Sequence, residues 1–348
     1  MSETPLWPDV LSRLVRREDL PPEVAERALS TILRGDATDA QIAGFAVGLR
    51  AKGETTAELA ALVRTMLGFA EKVDVDDVEP LVDTCGTGGD RSGSVNVSTM
   101  AALIAAGAGV HVAKHGNRAQ SSRCGSADVL EALGVVIDLG PDGVARCVRE
   151  AGVGFCLAPR YHPALRFAGA VRRELGVPTT FNFLGPLANP ARVRRQAVGV
   201  SDPSMAERVI GALGELGGER ALVFFGHDGL DELTTTTTST VLELRDGHVE
   251  CRELDPSTLG IARAESGALA GGDAAGNAQI VHRVLAGQHG PVRDIAVLNA
   301  AAALVVADRA DDLAAGIDLA VGSIDDGRAA AALEALVRTS VAAREDGA

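Results

Sequence analysis

The sequence predicts an α/β fold, in which a small all-helical domain accompanies a large domain with a mostly parallel central sheet flanked by helices. From Leu81 onward, short apolar runs alternate with Ala-rich stretches of helix length, which is the pattern of βαβ units. Aromatic residues make up 3% of the chain, while Ala, Val and Leu supply most of its hydrophobic 46%. This composition favours packed helices and parallel strands over an aromatic-rich β-sandwich.

Residues 1–75 are predicted to form the helical domain. Pro22 suits the first turn of a helix, where a missing backbone N–H costs nothing. The Thr-x-x-Gln and Thr-x-x-Glu spacing of a capping box occurs at 38–41 and 55–58, each time before an apolar-periodic run. An acidic linker at 74–79 then leads into the α/β domain.

The strands of the sheet are predicted from short apolar runs bounded by turn residues. We expect strands at 81–84, 110–113, 135–137, 155–158, 197–200 and 221–225. A further strand is expected within 234–244, because its five consecutive threonines are β-branched. The tail is helical by pattern, including 295–306 and 329–341.

Bulk properties exclude several classes of protein. The net charge of −14 argues against nonspecific binding to nucleic acids or anionic membranes, which need a basic surface. The five cysteines are odd in number and contain no CxxC pair, so neither a disulfide framework nor a zinc site is indicated. Residues 1–8 do not resemble a signal peptide, and no apolar run is long enough to span a bilayer. We therefore expect a reduced, cytoplasmic protein.

Two motifs near the first predicted strand could bind phosphate. Residues 83–90 contain three glycines in four positions, which allow backbone N–H groups to approach a ligand closely. Their spacing is neither that of a Walker A loop nor that of a dinucleotide fingerprint, and a purely structural turn explains them equally well. Asn96-Val97-Ser98-Thr99 opens the next helix, so these side chains can cap the helix or contact an anion at its N-terminus.

Two further motifs carry charge. Lys114-His115-Gly116-Asn117-Arg118 is followed by Ser121, Ser122, Arg123 and Ser126, a density of cations and hydroxyls that suits a polyanion. Asp231 and Glu232 follow the predicted strand at 221–225, and adjacent carboxylates on an irregular loop can converge on one Mg²⁺. Ligands of open α/β sheets bind at the carboxyl ends of the strands. Together the motifs predict a site for a magnesium–pyrophosphate substrate.

These residues closely resemble the anthranilate phosphoribosyltransferases of tryptophan biosynthesis over nearly the whole chain. The resemblance is carried by six motifs in the family's order, at 86–90, 96–99, 114–118, 171–175, 181–187 and 230–233. It implies a discontinuous helical domain, formed by 1–75 and completed by about 170–188. The α/β domain would comprise 80–169 and 189–348, with the active site between the domains. Family members are usually homodimers joined through the helical domain.

The resemblance also implies roles for individual residues. Phosphoribosyl pyrophosphate would be held by Gly86, Gly89, Asp90, Ser94, Asn96, Val97, Ser98, Thr99, Lys114, His115, Gly116, Asn117, Arg118, Ala119, Gln120, Ser121, Ser122 and Ser126. Magnesium, with two ions per site, would bind at Ser98, Asp231 and Glu232. Anthranilate would contact Gly86, Asn117 and Arg172, with His115, His162 and Gly185 along its channel. For His162, the alternative is a core histidine whose hydrogen-bonding groups are satisfied by the protein. The groups expected to promote catalysis are Lys114, Arg118, Asp231 and Glu232.

The sequence departs from the family pattern at Ala170, where Pro is common, at Ala188, where Thr is usual, and at Ser94, where Thr is common. Neither alanine removes a charge or donor assigned to chemistry. Two alternatives remain open: a pyrimidine nucleoside phosphorylase, which shares the architecture, and a non-catalytic relative that binds nucleic acid. The first lacks the 114–118 block as it stands here, and the second needs a basic surface.

Overall fold

A seven-stranded sheet forms the centre of the molecule, and the computed structural model describes residues 6–119 and 123–347. The strands are β1 (Leu81–Gly86), β2 (His111–Gly116), β3 (Val153–Leu157), β4 (Arg195–Gly199), β5 (Arg220–Gly226), β6 (Ser239–Arg245) and β7 (His248–Leu254). Their order in the sheet is β3-β2-β1-β4-β5-β6-β7. Neighbours among β1 to β5 pair in parallel, whereas β6 and β7 add an antiparallel edge. The predicted mostly parallel sheet is confirmed.

Four helices precede the sheet: α1 (Leu6–Val15), α2 (Pro22–Arg34), α3 (Asp39–Lys52) and α4 (Thr56–Gly68). Both predicted capping boxes are present at the starts of α3 and α4. Thr38 Oγ1 accepts from Gln41 N, and the Gln41 side chain accepts from Thr38 N at 2.9 Å. The two helix starts are thus stabilised by residues that the sequence already indicates.

The other helices are α5 (Val97–Gly107), α6 (Ser126–Ala132), α7 (Pro141–Ala151), α8 (Ala158–Tyr161), α9 (Arg166–Leu175), α10 (Phe181–Leu187), α11 (Ala206–Glu215), α12 (Ala274–Leu285), α13 (Pro291–Val306), α14 (Leu313–Asp325) and α15 (Arg328–Glu345). Helices α5 and α13 pack together against the parallel strands. Helix α11 lies against β5 and β6 and also contacts α4. Within the described residues, no helix combines the length and the apolar character that crossing a membrane requires.

The buried apolar residues form two clusters. One surrounds α5, α13 and strands β1 to β3, and the other joins α1 to α4 with α9, α10, α11 and parts of β4 and β5. Helix α9 packs on α2 and α3, and α10 packs on α4. These contacts support the expected completion of the helical domain by residues 170–188, and the domain boundaries themselves stay a prediction.

The structure corrects two strand predictions and adds one strand that was not predicted. Residues 135–137 are an irregular segment, and Val135 and Ile137 are apolar because they are buried in the core without joining the sheet. The threonine run at 234–238 forms turns, and β6 begins only at Ser239. Strand β7 is absent from the predicted strands, since it is an exposed edge strand with few apolar residues.

Candidate functional site

A cleft of about 320 Å³ opens at the carboxyl ends of β1, β2 and β5. It collects most of the residues predicted to bind ligands. The predicted residues along its wall are Gly86, Asp90, Ser94, Asn96, Val97, Ser98, Lys114, His115, Gly116, Asn117, Arg118, Ala119, Ser126, Arg172, Gly185, Asp231 and Glu232. The sheet register explains this convergence, because parallel strands bring their carboxyl ends to one edge.

The glycine-rich loop after β1 is held against the carboxylate pair. Gly88 N donates to Asp231 Oδ2 at 2.7 Å, and Gly88 has a φ of 67°. A Cβ at Gly86 would collide with the same carboxylate. Glycine is therefore required at Gly86 for close approach and at Gly88 for a left-handed backbone. On the other side of the loop, Thr87 Oγ1 lies 3.1 Å from Ser201 Oγ.

Asn96 precedes α5, but its side chain makes no cap hydrogen bond to the helix. Instead, Asn96 Nδ2 donates to Cys124 O at 3.2 Å, and Asn96 Oδ1 accepts from Asn277 Nδ2 at 2.9 Å. Two residues into the helix, Ser98 N donates to Glu232 Oε1 at 3.2 Å. The helix N-terminus therefore faces the cleft and one of its acidic groups, an arrangement that favours negative charge.

Lys114 is the buried cation of the cleft. It lies within β2, with 3% of its surface exposed, so the expectation that its motif begins after the strand is wrong. Its Nζ donates to Thr84 O at 2.5 Å and to Ser98 Oγ at 3.1 Å. Burial lowers the pKa of Lys114, while the charge of Asp83 opposes that shift. The ammonium is therefore fixed between β1 and α5.

Asp83 lies behind this cation and is fully buried. It accepts hydrogen bonds from His115 N at 3.1 Å and from Asn189 Nδ2 at 2.7 Å. Burial raises the pKa of Asp83 to about 6, and the charge of Lys114 and these donors oppose the increase. Asp83 thus helps to orient β2 and Lys114.

Asp231 and Glu232 line the cleft with about 9% of their surfaces exposed. Burial, followed by the charge of Asp90, raises the pKa of Asp231 to about 7. Burial and the charge of Asp231 raise the pKa of Glu232 well above its usual value. Adjacent carboxylates that repel each other in a buried position are oxygen donors that a divalent cation stabilises.

Magnesium fits this set of donors. Across residues 6–119 and 123–347, no group of three or more His, Cys, Asp or Glu side chains is arranged to hold a metal by itself. Mg²⁺ is usually bound by one or two carboxylates together with substrate phosphates and water, rather than by a complete protein cage. Asp231, Glu232 and the Ser98 hydroxyl correspond to that kind of partial site.

Arg118 is expected to act on the substrate, yet its guanidinium is exposed and directed along α6. Nη1 donates to Glu131 at 2.9 Å and to Asp128 at 3.2 Å. The carboxylates raise the pKa of Arg118, which keeps it fully charged. Its catalytic role stays a prediction. Gln120, Ser121 and Ser122 fall outside the described residues.

The far side of the cleft contains aromatic and basic groups. His115 Nδ1 is 2.9 Å from Gly185 O, and His162 Nε2 is 2.9 Å from Ala188 O. Burial lowers the pKa of His115 to about 3 and that of His162 to about 4, so both rings are neutral at physiological pH. His162 lies next to His115, with ring centroids 5.2 Å apart and ring planes tilted by 57°, and does not line the cleft.

Arg172 reaches the cleft from α9 and lies over the Phe181 ring, 5.6 Å from its centroid. Burial lowers its pKa. No carboxylate among the described residues contributes to the pKa of Arg172, whose lowering has burial as its cause. A half-buried cation without a protein counter-ion suits an anionic ligand.

Some residues predicted to bind ligands do not line the cleft, and some residues that line it were not predicted. Gly89, Thr99 and His162 do not line the cleft, and Thr99 is buried one residue beyond Ser98. The cleft wall also contains residues of the predicted 83–90 and 181–187 motifs to which no individual role was given, namely Cys85, Thr87, Gly88, Phe181, Asn182 and Pro186. Sequence reasoning missed Met66, Ser92, Gly93, Val95, Cys124, Gly125, Ala158 and Leu165. Most of these are apolar or small, so no chemical signal in the sequence distinguishes them from core residues.

Comparisons with known proteins agree with this geometry. The family model "Glycosyl transferase family, a/b domain" matches residues 78–330, and "Glycosyl transferase family, helical bundle domain" matches residues 8–70. The anthranilate phosphoribosyltransferase of Rhodococcus jostii (strain RHA1) is 54% identical over 333 residues, covering 94% of this chain and 91% of that protein. Its counterpart from Acidothermus cellulolyticus is 54% identical over 349 residues, covering 99% and 98%.

Solved structures show the same similarity. The crystal structure of anthranilate phosphoribosyltransferase from Thermus thermophilus has a TM-score of 0.91 and 40% identity, covering 96% of this chain and 99% of that one. The Saccharomyces cerevisiae enzyme in complex with PRPP and Mg has a TM-score of 0.89 and 27% identity, covering 98% and 99%.

Proposed function

This chain belongs to the anthranilate phosphoribosyltransferase family of tryptophan biosynthesis, and on that premise we propose how its cleft transfers the phosphoribosyl group. The amine nitrogen of anthranilate attacks C1′ of phosphoribosyl pyrophosphate, the C1′–O bond breaks, and pyrophosphate leaves with that electron pair. The nitrogen then releases one proton to solvent or pyrophosphate. One observation supports this site above all: a buried lysine, a helix N-terminus and a carboxylate pair meet in one cleft.

The pyrophosphate group is proposed to lie between β1, β2 and α5. Lys114 Nζ, already within 3.1 Å of Ser98 Oγ, supplies a fixed positive charge. The backbone of the 86–90 loop and the first turn of α5 supply N–H groups. Because these donors are already oriented, they stabilise charge on the leaving group without reorganisation. Gly89 and Thr99 do not line the cleft, and their contact with the substrate stays a prediction.

Magnesium is proposed to bind at Ser98, Asp231 and Glu232 together with the substrate's phosphates, with two ions in each site. Bound magnesium neutralises charge on the departing pyrophosphate. The chain's own contribution is positioning, because Asp231 also anchors Gly88 at 2.7 Å and Glu232 also anchors Ser98 N at 3.2 Å. The same carboxylates therefore fix the two segments that approach the phosphates.

Anthranilate is proposed to enter from the side of α9 and α10. Arg172 binds its carboxylate, and Asn117, His115 and Gly185 contact the ring and amine. The ring amine is neutral at physiological pH and needs no strong base for attack. Neutral His115 and His162 add no charge beside it, which is consistent with the low pKa values of both rings. Catalysis then depends mainly on positioning and exclusion of water.

We also propose that the protein is a cytoplasmic homodimer joined through its helical domain. Three of the five large apolar side chains exposed in the described part of the chain belong to the helical domain and its expected completion, namely Val15 (85% exposed), Val47 (42%) and Val177 (56%). Within the described ranges, none of the five cysteines forms a disulfide, as is usual in a reducing compartment.

The test follows the fluorescence of anthranilate in the presence of enzyme, phosphoribosyl pyrophosphate and magnesium. A decay that needs all three is the expected result, and chelation of magnesium should stop it. A folded protein that gives no decay would overturn the proposal. Phosphorolysis of thymidine or uridine by the same preparation would instead support a nucleoside phosphorylase.

A further inference from the structure

Asp128 lies in the first turn of α6 and accepts hydrogen bonds from both ends of the segment that follows β2. Its Oδ2 accepts from Ala119 N at 2.9 Å and from Gly125 N at 2.8 Å. Its Oδ1 accepts from Arg118 Nη1 at 3.2 Å. One carboxylate thus joins donors from the beginning and the end of the segment, and none of these bonds is made within the body of a helix.

The two ends of this segment are also in close contact through their backbones. Ala127 N donates to Asn117 O at 3.2 Å, and Ser126 Oγ donates to the same oxygen at 3.3 Å. A Cβ on Gly125 would collide with Ala119 N. The ends therefore meet tightly enough that only glycine fits at position 125.

The charge of Asp128 strengthens this closure. Burial alone would raise the pKa of Asp128, but the N–H groups of Ala119 and Gly125 and the Arg118 guanidinium hold it below its usual value. Hydrogen bonds to an ionised acceptor are about twice as strong as those between neutral groups. Without the carboxylate, the two backbone N–H groups would lose this acceptor, whereas the Arg118 guanidinium would keep Glu131.

We propose that Asp128 is a positioning residue that fixes residues 117–119 and 123–126 for the phosphate-bearing substrate. It would act through Arg118, Ala119 and Gly125, all of which line the cleft, while Asp128 itself does not. The inference rests on the proposed function, since it assigns phosphoribosyl pyrophosphate to this part of the cleft. A carboxylate serving only as a helix cap would instead affect stability and both substrates alike.

The experiment compares Asp128→Ala and Asp128→Asn with the matched control Glu131→Gln. Glu131 also binds Arg118, at 2.9 and 3.1 Å, but contacts neither Ala119 nor Gly125 in the described structure. For each variant, calorimetric titration gives the Kd for phosphoribosyl pyrophosphate with magnesium. Steady-state kinetics give kcat and both KM values, and thermal melting gives Tm. Amide hydrogen exchange reports on Ala119 and Gly125 directly.

We expect Asp128→Ala to weaken phosphoribosyl pyrophosphate binding about tenfold, as for loss of a charged acceptor. The KM for anthranilate at saturating phosphoribosyl pyrophosphate should change less than about twofold, within the range of a surface substitution. Amide hydrogen exchange at Ala119 and Gly125 should become faster in Asp128→Ala. Asp128→Asn keeps an oxygen for the two N–H groups and should recover most of the affinity, whereas Glu131→Gln should match the wild type.

Unchanged Kd and unchanged exchange in folded Asp128→Ala would overturn the inference. A lower Tm with equal increases in both KM values would show that Asp128 acts only as a helix cap. That result would also overturn the inference. Failure of the proposed function is recognised separately. It would appear as wild-type protein that does not consume anthranilate, while the exchange data still report whether Asp128 closes the segment.

Discussion

The two segments that border the phosphate side of the cleft are held in different ways. The loop after β1 is anchored by residues far away in the chain, since Gly88 binds Asp231, Thr87 binds Ser201 and Asn96 binds Asn277. The segment after β2 is anchored mainly by local contacts, from Asp128 and from Ser126 to Asn117, and one remote bond joins Cys124 O to Asn96 Nδ2. Neighbouring strands thus deliver two segments with similar predicted roles and different proportions of local and remote support.

This difference indicates which substitutions should change the geometry of the cleft without contacting it. Backbone pairing adds to the support of the first loop, because Val95 N donates to Leu269 O at 3.0 Å and Gly271 N donates to Gly93 O at 2.8 Å. Its geometry therefore depends on the whole α/β domain. The described parts of the second segment, residues 117–119 and 123–126, depend mainly on contacts with the start of α6, so substitutions there should act more locally.

The largest effect is expected for Asp231→Asn, because Asp231 supports both the first loop and the proposed cation site. We expect kcat/KM to fall by about 100-fold or more, the scale measured when one preorganised electrostatic contact is removed. The magnesium concentration for half-maximal activity should rise. Both are measured by the decay of anthranilate fluorescence over a magnesium titration.

Asp228→Asn is the matched control for that experiment. Asp228 lies on the same loop but binds the Thr234 and Thr236 hydroxyls, the former at 2.7 Å. It should leave the magnesium dependence unchanged. An equal shift in both variants would mean that loop structure, and not the cleft carboxylate, determines the response.

Arg172 lies outside both segments. The variant Arg172→Ala tests whether the two substrates bind separately. Loss of a charge-assisted contact to a carboxylate should raise the KM for anthranilate by roughly ten- to a hundredfold. The Kd for phosphoribosyl pyrophosphate should stay the same. Arg173→Ala, an exposed neighbour, is the control. If the KM for anthranilate were unchanged in Arg172→Ala, the proposed substrate orientation would be wrong.

Asn277→Leu tests the remote support of the first loop. Asn277 is buried, donates to Asn96 Oδ1 at 2.9 Å and accepts from Gly272 N at 2.7 Å. Removing its amide should weaken phosphoribosyl pyrophosphate binding about tenfold, because a buried partner is left unsatisfied. Calorimetric titration measures the change, and exposed Gln279→Leu on the same helix is the control. Wild-type affinity in Asn277→Leu would show that the first loop does not need this anchor.

The smallest effect concerns pH. Because the pKa values of His115 and His162 are lowered to about 3 and about 4, the folded protein binds fewer protons on these rings than the unfolded chain does. Their contribution therefore destabilises the fold as the pH falls from about 6.5 toward 4, and is absent above that range. NMR of the two ring signals should show no titration between pH 8 and 5. Midpoints near 6.5 would contradict the burial argument.

The same contrast explains what the sequence could predict. Local signals succeeded, as with both capping boxes and the strand β1, because each depends on residues within one turn or one run. The structure places most residues of the predicted motifs along one cleft, since parallel strands bring their carboxyl ends together, and their roles stay a prediction. Long-range partners could not be predicted, because nothing near Asn277 or Ser201 indicates which residue each will meet.

The strand predictions were wrong where burial and strand pairing do not coincide. The apolar segment 135–137 is buried without pairing, and β7 pairs without being buried. Asn96 sits at the N-cap position, yet its side chain binds Cys124 and Asn277 instead of the helix. In each case tertiary contacts outweigh the local preference on which sequence reasoning depends.

The most direct test of the central claim is a crystal structure of the protein with phosphoribosyl pyrophosphate and magnesium. We predict that the pyrophosphate lies beside Lys114 and the first turn of α5, with magnesium bound by Asp231 and Glu232. Both the 86–90 loop and the 117–126 segment should contact the substrate. Pyrophosphate bound elsewhere, or magnesium that does not touch either carboxylate, would contradict the account.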